Sequence, residues 1–174
     1  MVDGKVLPIH WCEGSVDAAS FLAMLKGMVW PAVRASATRK SYWFQQDGAS
    51  VHCTAEVLAF LASKFGARPK GDPNTEYNWP PYSPDLFPLD FSFWGQSMAY
   101  VLRYQPRTIP ELRQVVEDFA SNLDPVKVRR MARHTRYRAE LWVSQAGGHF
   151  EQLIKKKQWS FIYIKMPIFV IISI

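Results

Sequence analysis

The sequence predicts a single α/β domain with a helical C-terminal part. Three observations predict it. A strand-like aromatic run stands between two stretches of helical periodicity, a proline-rich loop follows, and everything after that loop up to about residue 146 has helical spacing. The 174 residues, 48% hydrophobic and 14% aromatic, suffice for one sizeable core and exclude general disorder.

The N-terminus reads as a turn at Asp3-Gly4 followed by a strand, Val6–Trp11. It lacks the charged and apolar regions of a signal peptide. Asp17 is placed to cap a helix whose inner stripe is Phe21, Met24, Leu25 and Met28, with Pro31 near its end. Tyr42–Gln46 reads as a short buried strand ending at Asp47-Gly48. Thr54 is placed to cap a second helix, with Val57, Leu58, Leu61 and Phe65 inward and Gly66 at its end.

Residues 66–90 carry six prolines and two glycines, so they are expected to form a loop with at most a short strand around Tyr77–Trp79. Phe91–Val101 is expected to be helical. Thr108-Ile-Pro-Glu111 has the form of a capping box ahead of a stripe of Leu112, Val115, Val116 and Phe119. Asp124-Pro125 begins a last helix running toward Ala146, with Gly147-Gly148 as its stop.

Charge is unevenly placed. The formal net charge is +6, yet residues 1–102 hold 8 basic and 9 acidic residues, whereas residues 103–157 hold 12 basic and 6 acidic. Lys127, Arg129, Arg130, Arg133, Arg136 and Arg138 form the densest group, with no acid among them. Such a group suits phosphate binding, because each neutralised phosphate releases counterions; it equally suits a solvated helix face. The final apolar stretch, 158–174, is interrupted by Lys165 and Pro167. Its uninterrupted run falls well short of the roughly 20 residues of a spanning helix, so membrane association is not expected. A β-prone, self-associating tail is the expectation instead.

Two carboxylates stand out by position. Asp47 follows the aromatic strand, and Asp90 lies where the proline-rich loop enters a helix. Brought together, such acids hold hard divalent cations, and two such cations support phosphodiester chemistry. Taken alone, the same residues also read as a turn former before Gly48 and a helix cap. His10, Cys12, His52 and Cys53 are zinc-type ligands, but neither pair has the usual structural-zinc spacing, so buried thiols and a hydrogen-bonded histidine are the expectation.

At these acids the motifs become recognisable. Phe44-Gln-Gln-Asp-Gly-Ala-Ser-Val-His52 resembles the second-aspartate motif of Tc1/mariner-type DDE/D transposases. Trp79-Pro-Pro-Tyr-Ser-Pro-Asp-Leu-Phe-Pro-Leu-Asp-Phe-Ser-Phe-Trp-Gly95 resembles their third-acid motif, in which Asp90 rather than Asp85 takes the acid position. An Asp there is similar to the mariner branch. Leu7-Pro-Ile-His10 and Gly147-Gly-His-Phe-Glu151 are similar to family landmarks near the two ends. The resemblance covers residues 4–157.

That resemblance implies an RNase H-like catalytic domain in which three acids bind two Mg²⁺ (or Mn²⁺) ions for strand cleavage and transfer. It implies Asp47 and Asp90 as catalytic and metal-binding residues, and His52 beside the site. It also implies DNA as partner, a possible homodimer, no small-molecule substrate and a nuclear location.

Two departures are visible. Forty-two residues separate the acids, longer than in typical mariner enzymes, with Pro69–Glu76 as the candidate extra loop. No acid matches the first position, since neither Asp3 nor Asp17 lies in a matching motif. With a sheet order of 3-2-1-4-5, the chain is expected to begin at strand 3 and lack the first two strands, including the one bearing the first acid. Residues 1–157 are then a partial catalytic domain, 158–174 an apolar tail outside the match. Val6–Trp11 would lack sheet neighbours, the strand before Asp47 would have one open edge, and the chain alone would be inactive. A nucleic-acid-binding remnant working through residues 127–138 is the alternative, as is a chain with no selected function.

Overall fold

The computed structural model describes residues 1–2, 4–36, 42–66, 69–70, 80, 83–154 and 168–171. They are mostly helical, around a small parallel sheet. The expected short strand at Tyr77–Trp79, and most of the candidate extra loop, lie outside them.

Asp17 caps the first helix, α1 (Ala18–Met24), through a reciprocal pair of hydrogen bonds with Ser20. The chain then widens into a π-helical turn, Leu25–Val29, and continues as α2 (Trp30–Ala35). Pro31 therefore does not end the helix as its sequence position suggests. It sits in the first turn of α2, directly after the wide turn, where its missing N–H costs little. Phe21, Leu25, Val29 and Val33 face inward from this composite helix.

Strand β1 (Tyr42–Gln45) and helix α3 (Ala55–Phe65) complete the first core. Tyr42, Phe44, Val57 and Leu61 are fully buried there, and the Phe44 and Phe65 rings sit 5.2 Å apart. Thr54 stands at the N-terminus of α3 but makes no side-chain cap.

β1 is the middle strand. It pairs in parallel with β2 (Pro69–Lys70) through Phe44 and Gln45, and on its other side with β3 (Ile168–Ile171) along all four of its residues. The edge expected to stand open is thus filled by part of the apolar tail. The expected strand Val6–Trp11, in contrast, is not a strand. It is irregular chain that, with α1 and residues between Trp94 and Val101, walls an apolar groove of about 520 Å³. A turn before it is closed by the Val2–Lys5 pair, whose reciprocal hydrogen bonds measure 2.8 and 2.9 Å. Gly4 is required in that turn. Its φ is +78°, and a Cβ there would lie 2.8 Å from the Pro125 carbonyl oxygen and 2.5 Å from the Arg129 side chain.

The second half is helical, as the periodicity predicts. α4 (Gly95–Tyr104), α5 (Ile109–Ser121) and α6 (Pro125–Ser144) follow in order. Thr108 caps α5 by accepting from the Glu111 N–H, while the Glu111 carboxylate reaches the Arg107 N–H rather than closing the box on Thr108. Asp124 caps α6 by accepting from Val126 N–H at 2.8 Å. A second core forms where Phe87, Leu89 and Phe93 meet Phe119, Val128, Met131 and Met1.

Phe44 is fully buried, and truncating such a ring leaves a cavity as well as removing apolar burial. Phe44→Ala is expected to lower unfolding free energy by about 3–5 kcal/mol in urea titrations. Met98→Ala, at a position 59% exposed, is expected to change it by less than about 0.5 kcal/mol.

Candidate functional site

The site begins at the C-terminal end of β1. Gln45 and Gln46 are fully buried, and the chain then turns outward at Asp47. Gln46 Nε2 donates to the His52 carbonyl oxygen at 3.0 Å, which ties down the six-residue loop that Asp47 opens. Within that loop a 3₁₀ turn, Ser50–His52, carries the His52 ring inward. The ring lies 4.1 Å from that of Phe21 and is fully buried.

His52 Nδ1 approaches Asp47 Oδ1 to 2.5 Å, off the angle of a well-formed hydrogen bond. Ala49 N–H donates to the same oxygen at 3.2 Å. Oδ1 is therefore engaged twice, while Oδ2 accepts no hydrogen bond among the described residues. Burial works against the charged form of Asp47, but the His52 contact and charge and the Ala49 N–H outweigh it and hold the carboxyl below its usual range.

Asp90 arrives from the other half of the chain. After a 3₁₀ turn, Pro84–Leu86, a π-helical stretch at Leu89–Trp94 leads directly into α4, and Asp90 is the second residue of that stretch. It is not a helix cap, the simpler reading of its sequence position. Leu89 and Phe93 anchor the stretch in the core, and Asp90 projects outward. Wide π turns of this kind recur at functional sites because they re-aim a single side chain. Burial, and then the negative charge of Asp47, raise the Asp90 pKa. The two sequence-selected acids thus share one electrostatic neighbourhood although they come from separate structural elements.

A polar groove of about 470 Å³ opens beside Asp90, walled by the Pro84–Phe91 segment on one side and by Trp142 and the Gly147–Glu151 segment on the other. Arg138 holds these walls together. Its guanidinium donates to the Asp85 carbonyl oxygen at 2.7 Å and to Glu151 Oε1 at 2.9 Å, and lies 4.1 Å from the centre of the Phe91 ring.

This corrects the expected basic group. Arg138 is only 7% exposed and is occupied inside the fold, so it does not belong to a phosphate-facing surface. Its spacing from the apolar residues of α6 was the available signal: Val128, Met131, Thr135 and Arg138 recur at helical intervals and form the buried stripe. Lys127, Arg129, Arg130, Arg133 and Arg136 are exposed. Arg136 pairs with Glu140 at 2.7 Å, and Arg129 packs over the Gly4 turn. Leu141 and Trp142 are half-buried near the end of the helix.

Sequence reasoning also missed Glu151 as a structural partner, since nothing local to it identifies a residue 13 positions earlier as its ion pair. Cys12 and Cys53 form no disulfide; Cys53 is half-buried, and Cys12 is exposed rather than buried as expected. No group of three His, Cys, Asp or Glu residues arranged to hold a metal ion occurs among the described residues. No helix among them is long and apolar enough to cross a membrane. No protein-family model and no curated protein matches the sequence.

The opposite shifts of the two acids have opposite consequences for stability. A raised native pKa means that folded Asp90 releases its proton later than unfolded Asp90, so stability is lost as pH rises from the ordinary carboxylate value through the raised one. The depressed Asp47 does the reverse: its contribution is present above the ordinary value and lost as pH falls through the native one. Asp90→Asn is accordingly expected to raise the melting temperature at pH 7, with the gain fading below about pH 4. The gain should be smaller in an Asp47→Asn background, where only the burial component remains. A melting temperature that is unchanged or lower at pH 7 would contradict the coupling of the two carboxylates.

Proposed function

We propose that this chain is the part of a Tc1/mariner-type DDE/D transposase catalytic domain that carries the second and third acids, built on an RNase H-like plan and inactive by itself. The influence of the Asp47 charge on Asp90, second to burial in raising the Asp90 pKa, is the observation that carries this reading. The motif resemblance selects these two residues from fifteen acids, and the fold brings their charges within mutual influence. Support also comes from the place of Asp47, just past the C-terminal end of a central parallel strand, where ligands of open α/β sheets gather.

The donor set fits a divalent cation in part. Asp47 Oδ2 and the Asp90 carboxylate are oxygen donors of the kind Mg²⁺ or Mn²⁺ takes, and a cation between them would relieve their repulsion. When bound in a complete site, paired cations activate the attacking oxygen and stabilise the leaving one. The residues seen here do less than that. His52 and the Ala49 N–H engage the Asp47 carboxylate and hold its pKa below the usual range, and the π turn carries Asp90 outward from the core. No residue in the sequence matches the family's first acid, so no chemical step is assigned to this chain alone.

The purified chain is expected to bind Mn²⁺ weakly. Paramagnetic broadening of NMR signals should centre on Asp47 and Asp90 and be lost in either Asn variant. The chain is expected not to nick supercoiled plasmid with Mg²⁺ or Mn²⁺. Broadening elsewhere in the molecule would remove the site assignment; cleavage abolished by Asp90→Ala would overturn the inactivity while upholding the site.

The second reading, a nucleic-acid-binding remnant, is favoured by the exposure of five basic residues between Lys127 and Arg136 of α6. Contacts of that kind grip phosphate without reading bases, so binding is expected to be sequence-independent and steeply salt-sensitive. Lys127, Arg130 and Arg133 follow one another at three-residue steps and share a face. Replacing all three by Ala is expected to reduce the slope of log affinity against log salt by up to about 3. An unchanged slope in a folded variant would leave this face as solvated charge.

A further inference from the structure

We propose that the edge of β1 opposite β2 is a strand-acceptor site, which the chain fills with its own C-terminal segment Ile168–Ile171. β1 lies at the centre of the sheet, and its Tyr42, Phe44 and Gln45 side chains are fully buried. Unpaired backbone N–H and C=O groups along such a strand are costly, so a partner is needed on each side. β2 supplies two residues of pairing, at Phe44 and Gln45. Ile168–Ile171 supplies four, with Tyr42, Trp43, Phe44 and Gln45 each matched in parallel.

The sequence of the segment suits that role. Ile-Phe-Val-Ile is an unbroken run of β-branched and aromatic residues, the composition of parallel strands buried on both faces. A parallel partner also requires a long return connection, a dozen residues or more. The chain from Gln45, the end of β1, to Ile168 is far longer than that. The segment brings no carboxylate with it, so an edge filled this way adds no third acid beside Asp47. A strand from any other source has to displace it first. This inference stands on the strand register and is independent of the metal-site reading.

Hydrogen exchange of the Tyr42–Gln45 amides in the full-length chain tests it. Along an edge strand, alternate residues direct their N–H toward the neighbour, so proline at adjacent positions should act unequally. Of Phe169→Pro and Val170→Pro, one is expected to speed exchange at Tyr42–Gln45 by roughly tenfold or more and the other to have a distinctly smaller effect. A peptide of residues 164–174 with a lysine solubility tag, added to the disrupted variant, should restore protection. The same peptide should not bind the unmodified chain, whose edge is occupied. Unchanged exchange in both proline variants overturns the proposal. So does failure of the peptide to restore protection, or equal peptide binding by the variant and the unmodified chain.

Discussion

One side chain links the parts of this molecule on which the candidate site depends. Arg138 is drawn inward from the most basic helix of the chain to join Asp85, Glu151 and the Phe91 ring. A nearly buried guanidinium needs its charge paired, and this one has a carbonyl and a carboxylate, both on Nη1, and an aromatic face, while its Nε has no hydrogen-bond partner among the described residues. Removing one partner of such an arrangement is far more disruptive than losing an exposed ion pair, because a buried charge is left uncompensated. The contacts join two segments with no other obvious reason to meet: the proline-rich approach to Asp90 and the chain following α6. The Arg138 charge also reaches His134, whose pKa is lowered by burial first and by this cation second. The basic helix therefore has two kinds of arginine, an internal clamp and an exposed row.

The other half of the site follows from the burial of β1. A strand buried on both faces must pair along both edges, and its polar residues need internal partners. Gln46 finds one in the His52 carbonyl oxygen, and that bond brings the loop back so that His52 lies under Asp47. Gln45 is equally buried, yet its amide has no hydrogen-bond partner among the described residues. Polarity deep in the core just before Asp47 is what a simple hydrophobic strand would avoid. Its presence marks the end of β1 as a place where packing is subordinate to something else.

Local periodicity made most of the fold legible. The caps at Asp17, Thr108 and Asp124 and the inner stripes of α1, α3 and α5 follow from residues a few positions apart, and such contacts are visible in a linear chain. The readings that failed depended on distant or multiple partners. Val6–Trp11 has a strand-like composition, but a strand needs a neighbour, and this segment instead covers an apolar groove. Pro31 looked like a terminator because the wide turn ahead of it leaves no sequence mark. Arg138 looked like one more surface cation because charge was weighed before its spacing from Met131 and Thr135. Asp47 and Asp90 were selected in another way, by motif resemblance, and nothing in their spacing requires them to meet.

Their meeting has an energetic meaning that the motifs alone do not carry. Burial and then the Asp47 charge raise the Asp90 pKa, although the residue projects outward. The Asp47 pKa is lowered, with His52 and the Ala49 N–H outweighing burial. The pair therefore does not settle readily into two relaxed carboxylates or into one shared proton. One member is fixed as an anion and the other is kept at a disadvantage. A divalent cation held by their oxygens would offset the charge of both and remove that disadvantage. Two oxygen donors from protein side chains are few for a hard cation, which leaves affinity low and position loose.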